Sequence, residues 1–222
     1  MLAAALGYIE ASVVVCLRQI IAPVRQEHFP QAVREPLPLL TPRQLSAAGQ
    51  TFEFLLFVEL AREVAPIVVL LAMAAGLRAR RSDGAGFFML GFGVWDIFYY
   101  VFLKVLLDWP ASLATWDVLY LIPTAWVAPV WAPLAVSAML VAAGLGILLR
   151  REAPRSPRAW YVAWLLVAAG AALVLASFFL RTAEAFAAVP RRFDWPWFLG
   201  GYLIAGVGIV WLLWPGRRPV GR

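Results

Sequence analysis

Six long runs of apolar residues dominate this sequence, and they fix what the chain can become. They fall at about residues 2–22, 54–77, 86–107, 126–149, 160–180 and 196–214. A helix needs about 20 mostly apolar residues to cross a bilayer, and each run has roughly that length. No soluble domain and no internal repeat stands between them. Composition points the same way: 63% of residues are hydrophobic and 14% charged, against about 45–50% and about 25% in a soluble domain. The expected fold is all-α: one polytopic transmembrane bundle of about six spans, occupying residues 1–222 as a single domain.

The first run does not read as a cleaved signal peptide, which needs a positive start and a clean apolar centre. It has no early Arg or Lys, carries Glu10 in its middle, and runs on to Ile21-Ala22-Pro23. It is read as a retained span. Arginines then set the orientation. Arg78, Arg80 and Arg81 follow the second run, Arg150, Arg151, Arg155 and Arg158 the fourth, and Arg217, Arg218 and Arg222 the sixth. With six spans these clusters share one side, which places both termini in the cytoplasm. The opposite loops carry fewer cations, although Arg25, Arg34, Arg43, Arg191 and Arg192 dilute the bias. Trp109, Trp116, Trp195 and Trp197 then fall at the outer interface, and Trp160, Trp211 and Trp214 at the inner one, as aromatic belts do.

The net charge of +6 does not indicate a nucleic-acid partner, because the arginines sit in short runs between spans rather than along one groove. Lys104 is the sole lysine, which fits a GC-rich bacterial codon bias and, with the spans, an inner (cytoplasmic) membrane location. Cys16 and His28 each stand alone. A His/Cys metal site or bis-histidine haem is therefore excluded, and no cofactor is expected.

Small residues recur at four-residue spacing as Ala138, Ala142 and Gly146, as Ala168, Ala172 and Ala176, and at Gly201 and Ala205. Such stripes allow close helix packing in lipid. The stretch 116–133 is apolar but holds Pro123, Pro129 and Pro133, each of which removes a backbone donor. It is read as a half-buried segment over 116–123, a short helix ending near Ile122, followed by a bend into the fourth span. The alternative is a long proline-kinked helix.

Seven charges lie inside the first three spans: Glu10, Arg18, Glu59, Arg62, Glu63, Asp96 and Lys104. Each facing lipid costs about 2.5–3.5 kcal/mol, so all seven would cost on the order of 20 kcal/mol. They must face each other or water. Glu59 is three residues from Arg62 and four from Glu63, so the three are neighbours on one helix face. Asp96, Tyr100, Lys104 and Asp108 follow at i+4. Tyr100 is placed to link Asp96 to Lys104, unless Lys104 reaches outward to Asp108. The candidate site is an outward-facing polar cavity of Glu10, Arg18, Glu59, Arg62, Glu63, Asp96, Tyr100 and Lys104, binding or transporting a small molecule, ion or lipid. The competing explanation is a self-neutralising network that fixes helix register. Two further functions stay open: a non-catalytic subunit docked on other membrane subunits, and an enzyme acting on a lipid through paired carboxylates such as Glu59 and Glu63.

The pattern WD…YY…K…WP…WD…IP…W..PVWAP resembles that of uncharacterised bacterial six-span membrane proteins, over residues 8–18, 59–71 and 95–133. That resemblance implies a membrane location and no activity. PTAWVAPVW, 123–131, is locally similar to the Trp/Pro motif of the tryptophan-rich sensory (translocator) proteins, which bind porphyrins and sterols. It is one residue short in spacing, and those proteins have five helices with the motif near the start, so no ligand follows from it.

Overall fold

The structure, a computed structural model, describes residues 1–77, 81–150 and 157–214. Among the described residues, six long helices make the bundle: α1 (Leu2–His28), α3 (Gln50–Leu77), α4 (Arg81–Leu107), α5 (Trp131–Leu149), α6 (Pro157–Phe179) and α8 (Trp195–Leu213). Two short ones, α2 (Pro42–Ala47) and α7 (Thr182–Ala185), lie in connections. Among the described residues, five helical stretches are long and apolar enough to cross a membrane: Leu2–His28, Asp83–Leu107, Trp131–Leu149, Arg158–Ala185 and Trp195–Leu213. α3 matches them in length at 28 residues but is not one of the five. The bundle turns large apolar side chains outward, with Phe57 68%, Leu165 69% and Leu203 65% exposed. Of the arginines that set the expected orientation, Arg78, Arg80, Arg151, Arg155, Arg217, Arg218 and Arg222 lie outside the described residues.

Packing runs as an arc. α4 is the hub, packed on α1, α3 and α5; α5 touches α8, and α8 packs closely on α6. Glycine sets the closest approaches. A Cβ on Gly170 of α6 would run into the Ala205 amide nitrogen, and one on Gly201 of α8 would stand 2.6 Å from the Gly170 carbonyl oxygen. On α4, a Cβ at Gly93 would stand 2.5 Å from the Ser137 carbonyl oxygen. Of the small-residue stripes, the one at Gly201 and Ala205 makes such a contact, while Gly170 and Gly93 were not among them. Gly201 and Ala205 are buried, whereas Ala138 and Ala142 on α5, and Ala168 and Ala172 on α6, are not. The interior side of α5 carries Ser137, Ala143, Gly144 and Ile147 instead.

The half-buried helix expected over 116–123 is not there. Residues 116–129 form an antiparallel β-hairpin: β1 (Trp116–Tyr120) pairs with β2 (Trp126–Pro129), with Asp117 opposite Ala128 and Val118 opposite Val127. The fourth apolar helix accordingly starts at Trp131 rather than 126. Three prolines explain the change. Inside a helix Pro123 and Pro129 would each leave a carbonyl without its donor. In the hairpin Pro123 sits in the turn and Pro129 ends a strand. Pro133 lies in the first turn of α5, where amides have no intrahelical acceptor anyway. The hairpin pairs its own backbone, which is the condition for placing extended chain inside an apolar bundle.

The long connection between α1 and α3 folds over the hairpin. Arg25, 3% exposed, donates to the carbonyls of Pro38 at 2.8 Å, Ala32 at 2.9 Å and Pro36 at 3.4 Å. The Leu39 amide donates to the Ala185 carbonyl at 2.8 Å. Leu37 is buried against Val127 and Ala185. One buried guanidinium thus satisfies a stretch of chain that has no ladder of its own.

Candidate functional site

A cavity of about 630 Å³ lies between the arms of the arc, under the hairpin and the α1–α3 connection. Two unlike walls enclose it. One carries the charges and comes from α1, α3, α4 and the hairpin, with Glu10, Arg18, Glu59, Arg62, Asp96 and Asp117 set among apolar residues such as Val14, Leu55 and Phe92. The other is apolar and comes from α6 and α8, including Val167, Val174, Leu175, Phe178 and Ile209.

The polar wall is built on helix spacing. Glu59 and Arg62 are one turn apart on α3, and the guanidinium donates to both carboxylate oxygens, from Nε at 2.7 Å and Nη2 at 2.6 Å. Its third nitrogen, Nη1, pairs with Glu10 of α1. Glu63, one turn on, meets the hairpin. Its carboxylate accepts from the Leu121 amide at 3.0 and 3.1 Å, and its backbone carbonyl accepts from the Tyr120 hydroxyl at 2.5 Å. Glu63 therefore holds the end of β1 against α3. Pro66, on the same helix, has no amide to give the Arg62 carbonyl.

Asp96 accepts a hydrogen bond from the Ser137 hydroxyl at 2.8 Å, joining α4 to α5. Tyr100 donates to Asp117 at 2.9 Å, joining α4 to the hairpin. The Arg18 guanidinium lies 4.2 Å from the centre of the Trp109 ring and donates to the Arg34 carbonyl at 3.4 Å. The Trp109 indole in turn donates to Glu35 at 3.0 Å.

Seven of the eight residues expected at the site, all but Lys104, line this cavity. Lys104 does not. Its ammonium pairs with Asp108 at 2.7 Å and donates to the Pro110 carbonyl at 3.2 Å, with half the side chain exposed. Tyr100 consequently links Asp96's helix to Asp117, not Asp96 to Lys104. A long flexible ammonium reaches the helix end more cheaply than the interior.

The lining residues that were not expected include Asp117, Ser137, Tyr99, Trp95, Arg25 and Glu35. Ser137 carried a signal, being the one hydroxyl in the apolar run of α5. Asp117 carried none, since its burial at 2% exposure depends on the hairpin. Burial pushes the Asp117 carboxyl up to about 6, against the lowering effect of the Arg18 charge and the Tyr100 hydrogen bond. Ionised Asp117 is therefore a cost to the fold. Its contribution is most favourable below the unfolded value near 4 and is lost as pH rises through about 6. Asp117→Asn is expected to match the wild type at pH 4 and to exceed it at pH 7. The gap should open between those values and reach roughly 3 kcal/mol, at about 1.4 kcal/mol for each tenfold change in acidity. Denaturation of both proteins in bicelles across that range checks this; a constant gap would contradict it.

Among the described residues no cluster of three or more His, Cys, Asp and Glu is arranged to hold a metal ion. No protein-family model, no curated protein and no solved structure matches the chain.

Proposed function

We propose that this is a six-span integral membrane protein that binds a small amphiphile in an intramembrane cavity. α3 is the sixth span: its length equals that of α1 and α4 to within a residue, and its Glu59, Arg62 and Glu63 turn toward α1, the hairpin and the cavity. Both termini are cytoplasmic in this reading, the hairpin end faces outward, and the bacterial inner membrane is its location.

The observation that carries the proposal is the pairing of one charged wall and one apolar wall around a space of about 630 Å³, within the size range of small-molecule sites. A register-fixing network needs its charges in contact, not a cavity beside them. The arms of the arc add a route. α3 and α6 both line the cavity but are not packed on each other. The hairpin bridges them where Leu121 meets Glu63 and Trp126 stacks edge-on to Phe179. On α6, Leu175 lines the cavity and is 37% exposed. A ligand dissolved in the bilayer can enter along such a seam.

The test is native mass spectrometry of the protein released from nanodiscs made with its host lipids. The wild type is expected to carry a non-covalent small-molecule mass that Asp96→Asn loses and Lys104→Met keeps. A bare wild-type chain, or one arriving only with another protein attached, would sink the proposal.

A further inference from the structure

We infer that the amphiphile bound in this cavity is a hydrophobic amine, its ammonium held at Asp96 and its apolar body laid on the α6 wall. This rests on the cavity-binding reading above and goes on to the ligand's chemistry.

The case begins with where the positive charge of the wall is used. Six carboxylates line the cavity against three guanidiniums. Arg62 is taken by Glu10 and Glu59. Arg25 is taken by three backbone carbonyls. Arg18 lies on the Trp109 ring and bonds the Arg34 carbonyl. Among the described residues none of these cations forms an ion pair with Asp96, whose one protein partner is the Ser137 hydroxyl. The charged groups that act on Asp96 from neighbouring elements are Asp117 of the hairpin and Glu10 of α1, both acids. Once ionised, a carboxylate so placed is stabilised by a cation beside it. The chain does not supply it.

A second observation is independent of the acids. Trp95 precedes Asp96 on α4, is 5% exposed, and lines the same cavity. Its indole N–H, like those of Trp126 and Trp164, has no hydrogen-bond partner among the described residues. It calls for an acceptor. An amine carrying a hydroxyl or ether oxygen near its ammonium would satisfy Asp96 and Trp95 together. On the α6 wall, Val167, Ala171 and Leu175 offer a surface suited to an alkyl chain or ring. A fatty acid would meet the surplus of carboxylates, and a neutral alcohol would leave Asp96 without its counter-charge.

The experiment uses the full chain in nanodiscs and three tritiated probes of one chain length: decylamine, decanol and decanoate. Binding to empty discs is subtracted. A charge-assisted contact contributes about 1.5–3 kcal/mol, so decylamine is expected to bind at least about 10-fold tighter than decanol at pH 7.5. It should displace decanol competitively, and decanoate should not saturate. Asp96→Asn should erase the preference while decanol binding stays. Saturable decanol binding equal to that of decylamine would overturn the amine assignment and leave the amphiphile reading standing, as would tighter binding of decanoate. If no probe saturates, both readings fall. The wild-type ratio decides the matter even where Asp96→Asn does not fold.

Discussion

Replacing Arg62 by methionine is expected to destabilise the bundle by about 3–5 kcal/mol, the cost of breaking a buried pair and leaving its partners charged. Here one guanidinium serves two carboxylates on two helices. Glu59 and Glu10 would be left facing each other, with side chains 13% and 15% exposed. The loss is also mechanical. α1 and α3 otherwise touch sparsely, each packing mainly on α4, so Arg62 is the chief direct tie between them. Equilibrium unfolding in bicelles measures the effect. The same substitution together with Glu10→Gln and Glu59→Gln should recover most of the loss, because replacing every member of a buried charge group is far cheaper than removing one. An Arg62→Met variant within about 1 kcal/mol of wild type, the scale of an exposed ion pair, would mean that water reaches these carboxylates and solvates them.

The contrast between the legible and illegible parts of this molecule has a physical basis. Helix positions followed from apolar length, since a bilayer permits few alternatives to a helix. The Glu59–Arg62 contact followed from their three-residue spacing. Which face of each helix turns inward did not follow. In water the buried face is the apolar one, but in lipid both faces are apolar, so periodicity does not mark the interior. Ala138 and Ala142 look like a packing stripe and are exposed, while the nearby Ser137 and Gly144 are buried. The hairpin was hidden for a related reason. An apolar, proline-broken stretch suits several conformations, and what selects the strands is tertiary: the Glu63 carboxylate on the Leu121 amide and the Thr182 hydroxyl on the Ala125 carbonyl at 2.6 Å. Asp117 enters the site only once that hairpin exists.

The second large effect belongs to the α6–α8 contact. Gly170→Val is expected to prevent folding, and Gly201→Val to do the same. Overpacking commonly costs about 1–3 kcal/mol because side chains give way. At these two positions the obstacle is backbone. A Cβ on Gly170 would run into the Ala205 nitrogen and stand 2.5 Å from the Gly201 oxygen, and one on Gly201 would stand 2.7 Å from the Val174 nitrogen. Neither helix can yield without the pair separating along its length, and the two glycines face each other, so the cost exceeds the usual range. Gly206→Val, on the same helix as Gly201, supplies the control. Nothing lies within 4 Å of a Cβ there, so the added side chain is expected to change stability by less than about 0.5 kcal/mol, as at ordinary surface sites. Expression and gel filtration of the three variants separate the possibilities. If Gly170→Val folds as readily as Gly206→Val, then α6 and α8 do not rest on each other as closely as these distances require. The apolar wall of the cavity, which those two helices form together, would then have to be drawn differently.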